Sequence, residues 1–343
     1  MSLTNIYLSS RRRVLLSLAA LALSACAQMA PVGDPLPSWK DGAAKDAIVQ
    51  FVRKTTDAGS PQFVPPAERI ATFDQDGTLW VEQPLYAQVM FALDRVKDVV
   101  KAQPAMANEE PYKSVVTGDR AAMAQFTEQD IFKIVVATQA GTTLEEFRGI
   151  VKAWAATAKH PKYQRPYTEL VYQPMLEAMK YLRANGYRTY IVTGGGQEFV
   201  RALAEAVYGV PPEQVVGTML KTDYAMRDGV PTMMNAPGLF FVNDKATKPV
   251  GINMIIGRRP QAAFGNSDGD QQMLEWTTAG TGARLGMLVL HDDAQREYAY
   301  GPANGLPDSK VGTFPQVLYD EAKRKGWTVI SMKNDWKRIF AFE

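Results

Sequence analysis

Residues 70–80, Ile70-Ala71-Thr72-Phe73-Asp74-Gln75-Asp76-Gly77-Thr78-Leu79-Trp80, join an apolar run to two carboxylates two residues apart, with a glycine directly behind them. β-Branched and aromatic residues make Ile70 to Phe73 a buried strand, and Gly77 permits the sharp turn that ends it. In open α/β sheets ligands sit outside the carboxyl ends of the strands, which is where Asp74 and Asp76 fall. Side chains alternate along a strand, so residues two apart point the same way if extended geometry continues through Gln75. The pair would then address one phosphorus atom or one cation. The plain alternative is an acidic turn, because Asp and Gly dominate turns.

The rest of the chain supplies more strands of this kind, separated by helices. Apolar runs at Tyr187 to Val192, Gln214 to Met219, Leu239 to Val242, Gln261 to Phe264, Leu285 to Leu290 and Thr328 to Met332 read as strands. Helical spacing marks Ala43 to Lys54, a helix opened by Pro174 and closed by Asn185-Gly186, and helices at Glu198 to Val207, Pro249 to Ile256, Gln271 to Trp276 and Phe314 to Lys325. Alternation of strand and helix implies an α/β fold with a doubly wound parallel sheet, Rossmann-like. Between the first two strands the pattern is helical only. Pro84 opens a helix carrying Val89, Leu93, Val96 and Val100 on one face, and Met123 to Val136 and Leu144 to Ala158 follow with apolar faces. Such a connection far exceeds the usual few residues, so residues 84–170 are expected to form an inserted all-α cap over the carboxyl edge of a core made of 43–83 and 171–343.

Three later strand ends carry polar groups suited to chemistry. Val192-Thr193-Gly194-Gly195-Gly196 leads into a helix, and a hydroxyl with unblocked amides at a helix start can cradle a phosphate. An ordinary helix cap looks much the same. Lys245 and Lys248 flank the start of a helix opened by Pro249, where a held cation could offset anionic repulsion; a solvated surface lysine is the rival reading. Ala263-Phe264-Gly265-Asn266-Ser267-Asp268-Gly269-Asp270 clusters oxygen ligands of the kind Mg²⁺ takes, and no twelve-residue calcium loop is present. The two histidines, His160 and His291, read as structural, with His291 at a strand's carboxyl end the better placed for a role.

In order along the chain, these stretches resemble the four motifs of the haloacid-dehalogenase superfamily in its phosphatase form. The resemblance covers most of residues 68–290 and implies Asp74 as the nucleophile and Asp76 as the general acid and base. It implies Thr193 as the phosphate-binding hydroxyl, with Gly194 and Gly195 beside it. Lys248-Pro249 resembles the third motif, which favours Lys248 over Lys245. The implied cofactor is Mg²⁺, held by Asp74, Asp76, Asn266 and Asp270. Asn266 departs from the family pattern, which has Asp there; either metal affinity is lower or Asp268 supplies the carboxylate. The helical cap is similar to that of phosphoserine phosphatases, and Glu82 stands near the position where those enzymes meet the substrate ammonium, one residue short. Arg120, Arg148 and Arg165 are the candidates for a partner arginine.

At the amino terminus, Arg11-Arg12-Arg13 precede the apolar run Val14 to Leu23, too short to span a bilayer and laid out as an export signal. Leu23-Ser24-Ala25-Cys26 resembles a bacterial lipobox, which implies residues 1–25 as a signal peptide, Cys26 as the lipidated residue and a protein anchored in a bacterial membrane on the periplasmic side. Residues 26–42, rich in Pro, read as a tether. Removal of 1–25 takes away three arginines and no acid, so 35 basic residues face 36 acidic ones and the formal charge of +2 becomes −1. That balance offers no nucleic-acid footprint, and a single Cys excludes an internal disulfide framework. The resemblance to the phosphatases of the superfamily implies a small phosphomonoester as the partner, hydrolysed through an aspartyl phosphate. Two alternatives are a non-catalytic ligand-binding lipoprotein of the same fold and a phosphomutase.

Overall fold

The structure, a computed structural model, describes residues 33–343; the expected export signal and the expected lipidation site Cys26 lie outside the described residues. Residues 36–343 form one compact unit. It starts sooner than the expected tether allows: Leu36 and Trp39 are fully buried, the Trp39 indole N–H donates to the Pro174 carbonyl at 2.9 Å, and Ser38 is held by Glu177. An apolar Leu and Trp inside a Pro-rich stretch are better buried than solvated, which overrides the composition of the segment.

From the amino terminus the elements are α1 (Ala43–Thr56), β1 (Ile70–Phe73), α2 (Ala87–Ala102), α3 (Tyr112–Thr117), α4 (Arg120–Met123), α5 (Glu128–Gln139), α6 (Leu144–Thr157) and α7 (Gln173–Ala184). Next come β2 (Arg188–Gly196), α8 (Gln197–Tyr208), β3 (Val215–Arg227), β4 (Val230–Phe241), α9 (Thr247–Ile256), β5 (Ala262–Gly265) and α10 (Gln271–Thr278). β6 (Leu285–Leu290), α11 (Gln316–Lys325), β7 (Thr328–Ser331) and α12 (Met332–Asp335) complete the chain. The seven strands form one sheet in the order β4-β3-β2-β1-β5-β6-β7, parallel except for the β3–β4 pair. Every residue of β1, β5 and β6 is buried, as helix-covered parallel strands require. The order reverses at β1, between β2 and β5, so the carboxyl end of β1 opens at the switch point of the sheet.

Helices α2 to α6 lie between β1 and β2 in the chain. The stretch from Met123 to Val136 is not one helix. Capping boxes restart the chain at Thr127, paired with Asp130, and at Thr143, paired with Glu146, satisfying the first amides of α5 and α6. Pro84 also stands outside its helix, since α2 begins at Ala87.

The expected strands at 214–219 and 239–242 are the two ends of one long antiparallel hairpin. Asp228 and Gly229, with φ of 53° and 78°, make its turn. Two consecutive residues at positive φ match the twist of the flanking strands, which is why Asp-Gly favours hairpins. The hairpin reaches beyond the sheet to the inserted helices. Asn235 N–H donates to the Thr142 carbonyl at 2.9 Å, Gly141 N–H donates to the Asn235 carbonyl at 3.0 Å, and Arg227 pairs with Glu146 at 2.7 Å.

Candidate active site

The end of β1 is pinned at once. Asp74 N–H donates to the Phe264 carbonyl on β5 at 2.9 Å, and the Gln75 carbonyl accepts from the amides of Thr78, Leu79 and Trp80. Gly77 adopts φ 70°, and a Cβ there would stand 2.1 Å from Asn266 Nδ2 and 2.3 Å from Glu82 Oε1. Only glycine fits this turn.

Asp74 is buried, and Lys248 Nζ donates to its Oδ1 at 2.6 Å and to Asp270 Oδ1 at 2.6 Å. Burial opposes the lysine's charge, yet the two carboxylates more than offset that and hold its pKa above the ordinary value. One cation shared by two anions leaves Asp74 undercompensated. Burial first, and Asp270 second, push the Asp74 carboxyl well above the usual carboxylate range against the pull of Lys248. Asp76 lies partly exposed at the cleft floor, and its Oδ1 accepts from the Trp80 indole N–H at 2.7 Å. Burial raises its pKa to about 6, while Trp80 and Lys248 hold it down.

Thr193, at the end of β2, is buried; its Oγ1 accepts from Gly195 N–H at 2.9 Å, which leaves the hydroxyl proton to donate. Gly194 is exposed to the cleft. The Gly195 amide is therefore committed within the turn. A Cβ on Gly195 would stand 3.9 Å from Asp76 Oδ2, so the carboxylate faces this turn.

The fourth stretch is a closed network. Asn266 Oδ1 accepts from the Thr78 hydroxyl at 3.1 Å, and its Nδ2 donates to Glu82 Oε1 at 2.7 Å. Asp270 Oδ2 accepts from the amides of Asn266 and Ser267 at 3.0 and 3.1 Å, so both its oxygens are engaged and it braces Lys248 and the turn. Asp268 is partly exposed and pairs with exposed Lys245 at 3.4 Å, away from Lys248 and Asp74. Glu82 is buried against Asn266 and the Tyr300 hydroxyl; burial raises its pKa well above the usual range, with Tyr300 opposing.

Sequence reasoning passed over Gln88, Asn243 and Tyr300, and marked His291 only by its place at a strand's carboxyl end. Gln88 Oε1 accepts from Gly196 N–H at 2.6 Å, and Asn243 Nδ2 donates to the Thr193 carbonyl at 2.9 Å, so each holds the glycine turn. Tyr300 holds Glu82. His291 Nε2 lies 2.8 Å from the Gly77 carbonyl and its Nδ1 3.2 Å from Glu297 Oε2, which holds the turn after β1. Only the position of His291 at a strand end signalled this; the others become visible through contacts across the sheet.

Among the described residues no group of three His, Cys, Asp or Glu side chains could hold a metal. The turn carries side-chain oxygen donors in the Asp74 carboxylate, whose Oδ1 accepts from Lys248, and in Asn266 Oδ1, which accepts from Thr78. Among the described residues, Lys248 binds both Asp74 and Asp270, while Asp76 and Glu82 add further buried or partly buried negative charge near Asp74. Hard oxygen donors in a field short of positive charge fit Mg²⁺.

Above these groups a cleft of about 1220 Å³ extends between the inserted helices and the β3–β4 hairpin.

No curated protein matches the chain. Among solved structures, a protein of unknown function from Bordetella pertussis Tohama I is 16% identical, with 77% of this chain and 98% of that one covered at a TM-score of 0.46. A functionally unknown protein from Anaerococcus prevotii DSM 20548 is 15% identical, with 73% and 86% covered at a TM-score of 0.51, and shares the fold. Cytosolic 5'-nucleotidase IIIB bound to cytidine is 15% identical, with 73% and 80% covered at a TM-score of 0.39. Residues 71–275, which run from β1 into α10 and include the four polar strand ends, match the family described as haloacid dehalogenase-like hydrolase, and the chain belongs to that family.

Proposed function

We propose that the chain is a phosphomonoesterase working through an aspartyl phosphate on Asp74. The observation that supports this most is Lys248 Nζ at 2.6 Å from Asp74 Oδ1, with Asp270 behind it. A carboxylate attacking a phosphate dianion needs such a cation, fixed before the substrate arrives.

Asp74 attacks phosphorus in line. The new bond joins phosphorus to the Asp74 oxygen, the ester P–O bond breaks, and Asp76 gives its proton to the departing oxygen. Water then attacks the aspartyl phosphate, Asp76 takes its proton, and inorganic phosphate leaves as the Asp74 carboxylate is restored. A pKa of about 6 suits a group that must both give and take a proton near neutrality. Lys248 and the Thr193 hydroxyl hold phosphate oxygens through both steps. Mg²⁺ held by Asp74, the Asp76 carbonyl and Asn266 would supply the remaining positive charge that lets anion approach anion.

The test is phosphate release by wild type and Asp74→Asn with Mg²⁺ present. The variant is expected to fold as the wild type does by circular dichroism and to lose at least about a thousandfold in turnover. Retained turnover would remove Asp74 as the nucleophile.

A further inference from the structure

The cleft is far larger than a small polar ester needs, and it exceeds the roughly 300–1,000 Å³ of ordinary ligand pockets. Its catalytic end is ionic, with Asp74, Asp76 and Lys248. Away from that end the walls turn apolar. Val89 on α2, Ile131, Phe132 and Val135 on α5, Leu144 on α6 and Phe240 on β4 face the same space. These side chains come from three inserted helices and the hairpin, and Phe240 is 68% exposed although it is a large aromatic.

The charged groups that line the cleft away from its ionic end are committed to other partners or, as with Glu128, Lys221, Asp223 and Lys310, exposed to solvent and not held in place for a substrate. Glu82 is turned to Asn266 and Tyr300. Arg120, Arg148 and Arg165 do not line the cleft. Arg201 does, but it donates to Glu198 at 2.8 Å and to the Pro212 carbonyl at 2.9 Å, and Arg148 holds the other Glu198 oxygen at 2.6 Å. An ammonium and a carboxylate on the substrate would therefore lose their water along this wall without gaining fixed partners.

We infer that the site takes phosphomonoesters with a bulky apolar leaving group, alkyl or aryl, in preference to phosphoserine or sugar phosphates. This rests on the hydrolase reading above. The phosphate sits at Lys248 and Thr193, and the apolar body lies against α5 and Phe240.

The experiment measures kcat/KM with Mg²⁺ for ethyl, butyl and octyl phosphate, whose leaving groups have similar reactivity, beside phosphoserine and a nucleoside monophosphate. Alongside it, calorimetry measures the binding of the matching alkylphosphonates, which cannot be hydrolysed. Each added methylene is expected to raise kcat/KM and phosphonate affinity up to about fourfold, from ordinary apolar burial. Phe240→Ser, at an exposed position where folding is not at stake, should flatten that series. Equal rates for all alkyl esters, or a preference for phosphoserine or the nucleotide, would overturn the inference and leave the hydrolase reading standing. Chain-length-dependent phosphonate binding with no hydrolysis of any ester would instead retain the ligand class and overturn the hydrolase reading.

Discussion

Asn266 donates its side-chain N–H to Glu82 Oε1 across 2.7 Å, joining the turn after β5 to the segment after β1. The asparagine that departs from the family pattern is thus matched to a buried carboxylate 184 residues away. Restoring the family residue by Asn266→Asp would remove a donor and set a second acid against Glu82. In the presence of chelator this should cost about 2–3 kcal/mol of stability, measured by urea unfolding. Adding Glu82→Gln restores a donor and should recover most of the loss. Strictly additive effects of the two substitutions would sink the matched-pair account.

Gly77 carries the same network on its backbone side. Its positive φ and the 2.1 Å approach of Asn266 Nδ2 leave no room for a methyl group. Gly77→Ala is predicted to lower stability by about 1–3 kcal/mol and to cut turnover at least about a hundredfold, because the turn that carries Asp76 must shift. Unchanged melting and unchanged turnover would show that the turn is looser than its packing implies.

A pH effect on stability should come from His160. Its Nε2 donates to the Gln83 carbonyl at 2.7 Å and its Nδ1 accepts from Lys162 N–H at 3.1 Å, so the folded ring is neutral and fully satisfied. Burial lowers its pKa below the ordinary 6.5, with the Gln83 bond opposing. The unfolded ring takes a proton as pH falls through about 6.5, and the folded ring resists it. Its contribution is therefore complete above that pH and declines below it. Denaturant midpoints taken from pH 7.5 to 5 should fall less steeply in His160→Gln than in wild type; parallel slopes would exclude His160 as the source.

Much of the sheet was legible because buried strands announce themselves locally. Each of the seven strands contains or overlaps an apolar run, and Leu285 to Leu290 is β6 residue for residue. The hairpin was not legible from apolar runs, since its strands are exposed or partly exposed over most of their length and carry polar residues on both sides. Asp228-Gly229 was its local signal, and only turn chemistry, not hydrophobic pattern, could have found it.

The sequence by itself determined where the chemistry-bearing residues stand along the chain: Asp74 and Asp76 after β1, Thr193 near the end of β2, Lys245 just before α9 and Lys248 in its first turn, and the polar turn after β5. Local rules suffice for this, because strand ends, glycine turns and helix starts are set by neighbouring residues. Only the tertiary structure decided what each group meets. Lys248, on the first turn of α9, reaches Asp74 over 174 residues, while Lys245, three residues earlier at φ 51°, turns out to Asp268. Glu82 meets an amide and a phenol, and the wall of the cleft is assembled from helices and a hairpin far apart in the chain. Such partners depend on distances between elements, and those arise only when the sheet, the inserted helices and the hairpin pack together.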